Sequence, residues 1–332
     1  MEPEPRVICI GDIHGWLPRL TALWTALTVR VGLAELNETT VIFLGDYVDR
    51  GPNSAGVLDF LIALKASRGV GKTRFITGNH DFAMAAFLHS NDDHILPVSP
   101  ESLLDLDLDE TRNPAYSRGF WKGLVPGGMH YQGRRWGGSL IYNADTTFRS
   151  YGVEFGVDDE GVARDALRAA VPNSHRAFLR DLEWLAEVDL EDGTRVICVH
   201  AGLVAAEPLA PQLDALRRRD CVADTLQRGE YGRFQVLSGR GGVAAMHPEL
   251  AGRGHTLLVS GHHSTRWSVD GDGGGRKAYL RSFAISTEVD AMHGERIILD
   301  VAGGKCGGLP LEAIILPSRE VVGVTIADDA TC

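Results

Sequence analysis

The chain has 332 residues, of which 44% are hydrophobic and 23% are charged, and its net charge is −11. This composition is typical of a globular protein, and the negative charge argues against a nucleic-acid-binding surface or an acidic membrane surface. Five cysteines without CxxC spacing predict reduced thiols, and no segment has the pattern of a signal peptide or a membrane helix, so we expect a cytoplasmic or nuclear protein.

The first part of the chain alternates predicted strands and helices. Short apolar runs predict the strands, which are Val7–Ile10, Thr40–Leu44 and Arg74–Thr77. Segments with helical spacing follow each strand, at Leu17–Val29, Ser54–Ala66 and Phe82–Leu88. This βαβαβ order predicts parallel strands joined by right-handed crossovers.

The alternation stops at about residues 89–147, where Gly, Pro and Asp clusters predict an irregular insertion. We interpret this segment as a cap on a single domain that spans residues 1–332. Helical patterns return at Val162–Ala170 and Ser174–Leu185.

Two further strands are predicted at Arg195–Val199 and Thr256–Ser260. Gly271–Gly275 reads as a polar hairpin tip or loop. The C-terminal apolar segments predict antiparallel strands that close a second sheet. These segments are Glu295–Val301, Leu311–Ser318 and Arg319–Thr325.

Short motifs rich in potential metal ligands follow five of the predicted strands. In chain order they are Gly11-Asp12-Ile13-His14-Gly15, Gly45-Asp46-Tyr47-Val48-Asp49-Arg50-Gly51, Gly78-Asn79-His80-Asp81, Val199-His200-Ala201-Gly202 and Ser260-Gly261-His262-His263. Because the carboxyl ends of parallel strands meet at one edge of an α/β sheet, we expect these side chains to lie close together. Carboxylate, imidazole and amide ligands suit a divalent metal such as manganese, iron or zinc.

These five ordered motifs resemble those of the PPP family of metallophosphoesterases, over nearly the whole chain. Within that family the chain most resembles the Rhizobiales-like phosphatase branch, because of Asp81, the Gly133–Trp136 and Leu237–Arg240 stretches and the motif around His262. The resemblance implies a calcineurin-like α/β fold, a two-sheet β-sandwich flanked by helices with a βαβαβ core. It also implies a metal-dependent protein phosphatase.

The resemblance implies two divalent metal ions in one site. The ligands it implies are Asp12 and His14 for one ion, Asn79, His200 and His262 for the other, and Asp46 as the bridge between them. Two cations about 3.5–4 Å apart can hold a bridging hydroxide that attacks phosphorus in line. They also neutralise charge on the equatorial oxygens of the phosphate.

Further residues beside these motifs are predicted to act on the substrate. The resemblance implies that His80 is the general acid, with Asp49 orienting its ring and favouring its protonated form. Arg50 should bind a phosphate oxygen, because a guanidinium group matches that geometry. For a second phosphate-binding arginine, Arg240 is the best candidate, and Arg233 and the run 217–219 are competitors.

Two other groups of residues have alternative interpretations. Arg134 and Arg135, with Lys122, form either a basic rim that reads a second negative charge on a peptide or a solvated charge pair beside Trp136. His263 is either a hydrogen-bond partner behind the metal ligands or a packing residue.

The branch resemblance implies a preference for phosphotyrosine, on a phosphoprotein or phosphopeptide substrate. No cysteine is followed by arginine six positions later, so the cysteine-nucleophile loop of other tyrosine phosphatases is missing and any such activity must depend on metal. The alternatives are a phosphoserine/threonine phosphatase, a dinucleoside-polyphosphate hydrolase of the same fold, or a catalytically dead binding module. We expect a monomer that binds neither nucleic acid nor membranes.

Overall fold

The computed structural model describes residues 6–89, 95–96, 120–121, 123, 128–156, 162–220, 228–229, 233–239, 241–251, 255–263, 280–281, 295–300 and 310–326. The strands of this part are β1 (Val7–Ile10), β2 (Thr40–Phe43), β3 (Thr73–Phe75), β4 (Ala186–Asp189), β5 (Arg195–Cys198), β6 (Arg228–Gly229), β7 (Arg233–Phe234), β8 (Thr256–Ser260), β9 (Leu280–Arg281), β10 (Glu295–Ile298), β11 (Leu311–Leu316) and β12 (Glu320–Val324).

The helices of the same part flank the sheets. They are α1 (Leu17–Val31), α2 (Leu33–Glu38), α3 (Ser54–Ser67), α4 (Asn79–Leu88), α5 (Tyr131–Gly137), α6 (Asp145–Ser150), α7 (Val162–Ala170), α8 (Asn173–Arg180), α9 (Leu209–Arg218), α10 (Gln235–Ser238), α11 (Gly241–Ala244) and α12 (Pro248–Ala251). None of them combines the length and the apolar character that crossing a bilayer requires.

Two mixed sheets of five strands each form the framework. The first has the order β12-β11-β1-β2-β3, with β1, β2 and β3 parallel and β11 and β12 antiparallel to their neighbours. The second has the order β4-β5-β8-β10-β9, with β5, β8 and β10 parallel. Strands β4 and β9 pair antiparallel at its two edges. The predicted two-sheet α/β fold is confirmed.

The central strands are buried on both faces, which explains their continuous apolar sequences. Along β1, Val7 and Cys9 pack between the two sheets, whereas Ile8 and Ile10 face the helices. The Cys9 and Cys198 Sγ atoms, one from each sheet, lie 3.7 Å apart. Both cysteines are free, as predicted.

Local sequence explains where the helices around the strand ends begin. Pro18 occupies the first turn of α1, where its missing N–H is not needed. The Asn53 side chain caps α3 by accepting the Gly56 N–H at 2.9 Å. Helix α4 begins at Asn79, three residues before the predicted start, so the third motif lies in the first turn of a helix.

The prediction for the C-terminal strands is wrong in part. Strand β10 joins the second sheet, but it is parallel to β8. Strands β11 and β12 are antiparallel, yet they extend the first sheet beside β1. Apolar runs specify burial but not which partner strand they pair with, and tertiary packing makes that choice. Gly271–Gly275 lies outside the described residues.

Other differences concern the middle of the chain. Within the segment predicted as an irregular insertion, α5 and α6 are regular helices, and the rest of it is described only in part. The helix predicted to run to Leu185 ends at Arg180. It is followed by strand β4, which pairs with β5.

Candidate metal centre

The structure brings all six predicted metal ligands together. Loops after β1, β2 and β3 of the first sheet meet loops after β5 and β8 of the second. The His262 N–H donates to both carboxylate oxygens of Asp12, at 3.1 and 3.2 Å, and so joins residues that are 250 positions apart. The His14 N–H donates to the backbone oxygen of Asp46 at 2.8 Å.

Asp46 lies at the centre of this cluster. Its Oδ2 is 3.5 Å from His14 Nε2, and its Oδ1 is 3.4 Å from His200 Nε2. Two other ligands lie beside these histidines. Asn79 Oδ1 is 3.2 Å from His200 Nε2, and Asp12 Oδ2 is 3.8 Å from His14 Nε2. Because each carboxylate oxygen of Asp46 faces a different histidine, Asp46 is placed as a bridging ligand would be.

Two groups of ligand atoms within the cluster are close enough to hold an ion. Their members lie within 4.8 Å of one another, and the groups are His14, Asp46 and His80, and Asp46, His200 and His262. They share Asp46, as the prediction requires. The first group contains His80, which was predicted to be the acid, but His80 Nδ1 faces Asp49 Oδ2 at 2.7 Å.

The ring orientation of two histidines fits a metal. His14 Nδ1 lies 3.1 Å from the Val48 carbonyl oxygen, and His200 Nδ1 lies 2.7 Å from that of Leu44. A carbonyl can only accept, so each Nδ1 is the donor. In the neutral imidazole this leaves Nε2, on the side of Asp46, as the nitrogen that can bind a metal, which is how proteins orient metal-binding histidines.

The charges of the cluster also suit cations. Burial, and then the carboxylates of Asp300 and Asp46, raises the pKa of Asp12 well above its usual range. Burial would raise the pKa of Asp46 as well, but His200 and His80 outweigh it and hold that pKa well below its usual range. Burial, and then Arg50, lowers the pKa of His14 to about 3. Buried carboxylates crowded beside imidazole nitrogens match the ligand set of a divalent metal site.

The backbone of the site is held in an unusual conformation. Five residues of the motifs have positive φ angles although none of them is glycine; these are His14, Asp46, Asp49, Arg50 and His262. Such conformations cost about 1–3 kcal/mol each and persist where the surrounding structure fixes them. The flanking glycines are required by contact, because a Cβ on Gly78 would lie 2.1 Å from Asp46 Oδ1.

His80 and Asp49 form a buried pair beside the cluster, as the sequence predicted. Burial lowers the pKa of His80 well below its usual value. The charge of Asp46 raises that pKa, whereas the charges of Arg50 and His14 lower it further. The role of Asp49 in favouring the protonated form of His80 stays a prediction. Burial also raises the pKa of Asp49 well above its usual range, and hydrogen bonds from Thr147 and Trp136 oppose that rise.

Arg50 reaches into the site between two histidines. Its Nη1 lies 2.9 Å from His14 Nε2, and its Nη2 lies 3.0 Å from His80 Nε2. The guanidinium group therefore stands beside both the metal cluster and the predicted acid. Arg240 and Lys122 lie outside the described residues.

Two of the competing arginines form ion pairs on the surface of α9. On α9, Arg217 pairs with Glu187 and Arg218 with Asp214, which agrees with a solvated helix face. Arg233 is the first residue of β7.

Helix α5 carries Arg134 and Arg135. Arg135 is only 5% exposed and donates to Gln132 Oε1 at 3.2 Å, so it does not belong to a solvated rim. Arg134 is half-buried and donates to the Gly123 carbonyl oxygen at 3.1 Å. His263 Nε2 lies 2.8 Å from the carbonyl oxygen of Ala201, the residue after His200. This contact helps to hold the fourth and fifth motif loops together.

Four residues at the site were not predicted from the sequence. Asp300 follows β10, and its carboxylate raises the pKa of Asp12. Trp136 and Thr147 donate to Asp49, and the ring of Tyr142 contacts the ring of His80 edge-on at 4.7 Å.

Comparison with known proteins agrees with this geometry. Residues 5–140 match the family model described as "Calcineurin-like phosphoesterase". A curated relative, the asymmetrical bis(5'-nucleosyl)-tetraphosphatase PrpE of Bacillus subtilis (strain 168), is 33% identical over 110 residues. That match spans 31% of this chain and 44% of the relative, so it reaches less than half of the relative's length.

One solved structure that the chain resembles is that of a putative diadenosine tetraphosphatase. It is 18% identical, with a TM-score of 0.45, and the match covers 98% of this chain and 95% of that one. Another is a cold-active protein-tyrosine phosphatase of a psychrophilic Shewanella species, with 15% identity, a TM-score of 0.45 and coverage of 97% and 78%. Residues 5–140 thus match a calcineurin-like metallophosphoesterase domain, and the two mixed sheets flanked by helices are those of the calcineurin-like fold.

Proposed function

We propose that this chain is a metal-dependent protein phosphatase that hydrolyses phosphomonoesters and favours phosphotyrosine. The observation that carries the proposal is the position of Arg50, whose guanidinium nitrogens lie 2.9 Å from a histidine of the metal cluster and 3.0 Å from His80. A phosphate held there would contact a cation-binding cluster, a guanidinium group and a proton donor at once.

The ligand set proposed for the metals is the one predicted from the sequence. It consists of Asp12, His14, Asp46, Asn79, His200 and His262, with Asp46 shared. When bound, a pair of divalent ions supplies an activated water molecule at neutral pH and neutralises charge on the phosphate. Manganese, iron and zinc all suit these oxygen and nitrogen donors.

The protein's own groups then complete the reaction. Arg50 binds the phosphate oxygens through two N–H groups. His80 donates the proton on Nε2 to the departing oxygen, while Asp49 accepts the hydrogen bond from Nδ1–H and fixes the ring. A bound phosphate dianion favours the protonated imidazole, which offsets the lowering of the His80 pKa by burial.

The preference for phosphotyrosine is supported by two exposed apolar residues close in sequence to Tyr142. Leu140 and Ile141 are 66% and 47% exposed, and they directly precede Tyr142, whose ring is 4.7 Å from that of His80. The ring of a phosphotyrosine offers apolar surface that such side chains can cover, whereas a serine or threonine side chain offers little. The resemblance to the Rhizobiales-like branch points the same way.

The name of the Bacillus relative favours a second candidate, a dinucleoside-polyphosphate hydrolase. A phosphoserine/threonine phosphatase would use the same groups with a smaller leaving side chain. These candidates share the proposed metal cluster and differ only in what lies beyond the phosphate. A binding module without activity is disfavoured, because all six ligands converge.

Parallel rate measurements with added manganese test the proposal. We expect kcat/KM to be highest on a phosphotyrosine peptide, lower on a phosphothreonine peptide and lowest on diadenosine tetraphosphate. His80→Asn should lower the rates on the two phosphopeptides by about 100-fold or more, while His247→Asn, at a buried histidine bonded to the Glu207 carbonyl oxygen, should not. If the dinucleotide were turned over fastest, the assignment as a protein phosphatase would be wrong. If none of the substrates were turned over, the proposal that the chain is an enzyme would be wrong.

A further inference from the structure

Asp49 is surrounded by hydrogen-bond donors from three different elements. Its Oδ2 faces His80 Nδ1 at 2.7 Å and accepts the indole N–H of Trp136 at 2.8 Å. Its Oδ1 accepts the hydroxyl of Thr147 at 2.7 Å. All four side chains are buried, so water does not compete for these bonds.

The direction of each hydrogen bond follows from the donors available. Thr147 Oγ1 accepts the Asp49 N–H at 3.0 Å and also meets Ser54 Oγ at 2.8 Å, and it gives its single proton to Asp49 Oδ1. The indole nitrogen of Trp136 can only donate. Both oxygens of Asp49 therefore accept a hydrogen bond, and with Asp49 ionised the His80 Nδ1–H is the donor in that pair. The other ring nitrogen of His80 is left facing the site.

The position of the Trp136 indole is set by the hydrophobic core. Its ring stacks on Phe148, with centroids 5.5 Å apart and planes 25° apart, and packs against Phe87 at 5.2 Å. Packing of this kind fixes the direction of the N–H more firmly than a flexible side chain could. Trp136 is thus linked to His80 by two hydrogen bonds, one from Trp136 to Asp49 and one between Asp49 and His80.

We propose that Trp136 is a positioning residue for proton donation: its N–H holds the Asp49 carboxylate in the orientation that directs His80 toward the departing oxygen. This inference rests on the proposed phosphatase function. Trp136 does not contact substrate in this role, and it acts only through Asp49 and His80.

The chain offers a matched control in Trp121. Its ring is equally buried and packs on the same Phe87 ring, at 5.5 Å. Its indole nitrogen has no hydrogen-bond partner among the residues that the structure describes. Trp121→Phe therefore removes the same atoms from the same core cluster without touching Asp49.

The test compares substrates that differ in their need for an acid. p-Nitrophenolate departs readily without a proton, whereas phenolate and a serine alkoxide do not. We expect Trp136→Phe to lower kcat on phenyl phosphate and on a phosphoserine peptide by about 10- to 100-fold, and on p-nitrophenyl phosphate by less than about 3-fold. His80→Asn should show the same dependence on leaving group, and Trp121→Phe should show none.

Equal losses on all substrates in Trp136→Phe would mean that the residue is only structural, and an unchanged rate would exclude any role; either result overturns the inference. If His80→Asn depends on leaving group while Trp136→Phe does not, only the role of Trp136 fails. If the wild-type protein hydrolyses none of these esters, the proposed function fails and the inference with it.

Discussion

The Asp81 carboxylate accepts the backbone N–H of Asp46 at 2.7 Å, from directly behind the proposed bridging ligand. It also accepts the N–H groups of Tyr47 and Gly78, both at 2.8 Å. One buried side chain thus ties the loop after β2 to the start of α4. Burial, and then the charge of Asp46, raises the pKa of Asp81 to about 7.

Asp81→Ala should therefore loosen the metal site as well as the fold. It leaves three amide groups without their acceptor, so we expect the free energy of unfolding to fall by about 3 kcal/mol. We expect manganese affinity to fall about 10- to 100-fold, as for other groups that support metal ligands. Urea denaturation and calorimetric titration with Mn²⁺ measure the two effects. Asp165→Ala, at a side chain that is 72% exposed, is the control and should change neither.

Asp46→Asn tests the shared ligand directly. The amide keeps an oxygen that can accept the backbone N–H of His80, which lies 3.0 Å from Asp46 Oδ1. The substitution removes the negative charge that His14 and His200 face. We expect the bound metal to fall from about two ions to one or none, and kcat/KM to fall by about 1,000-fold. Elemental analysis after dialysis measures the metal. Asp59→Asn, at an exposed carboxylate that pairs with His175, should retain both ions; an Asp46 variant that also did so would exclude the bridging role.

The positions of the metal ligands could be predicted because they depend on few features of the chain. Asp12, Asp46 and His200 directly follow buried parallel strands, and such strands end at one edge of a sheet whatever the loops do. The glycines beside them marked the sharp turns. No contact between distant residues had to be known in advance.

The surroundings of the acid could not be predicted in this way. Trp136 and Thr147 are 87 and 98 positions from Asp49, within a segment that shows no regular periodicity in the sequence. Their roles depend on how α5 and α6 pack against the core, which is a tertiary property. The same limit explains why β11 was assigned to the wrong sheet, since its apolar residues would be buried in either one.

Arg240→Ala tests the second phosphate-binding arginine predicted from the sequence. Removing a guanidinium group that binds phosphate should raise KM and lower kcat for any phosphomonoester, together by about 100-fold in kcat/KM. Arg219→Ala should change neither constant, because Arg219 directly follows α9 and donates to the Arg180 carbonyl oxygen on the surface. The measurement is steady-state kinetics on p-nitrophenyl phosphate. Equal effects in the two variants would remove Arg240 from the site.

Glu312 should make the stability of the protein depend on pH. Its side chain lies on β11 opposite Gly323, and one carboxylate oxygen is buried without a hydrogen-bond partner among the described residues. Burial raises the pKa of Glu312 to about 7, from 4.5. A raised pKa means that the folded protein binds the proton more tightly, so this contribution to stability is complete below about pH 4.5 and is lost as the pH rises through about 7.

Glu312→Gln should remove that dependence. Because the side chain is partly exposed and screened by solvent, we expect the free energy of unfolding at pH 8 to rise by only about 1 kcal/mol, with little change at pH 5. Urea denaturation at both pH values gives the comparison, and Glu191→Gln, at an exposed glutamate, controls for the loss of charge. A variant that is stabilised equally at both pH values would mean that the gain comes from packing and not from the buried carboxylate.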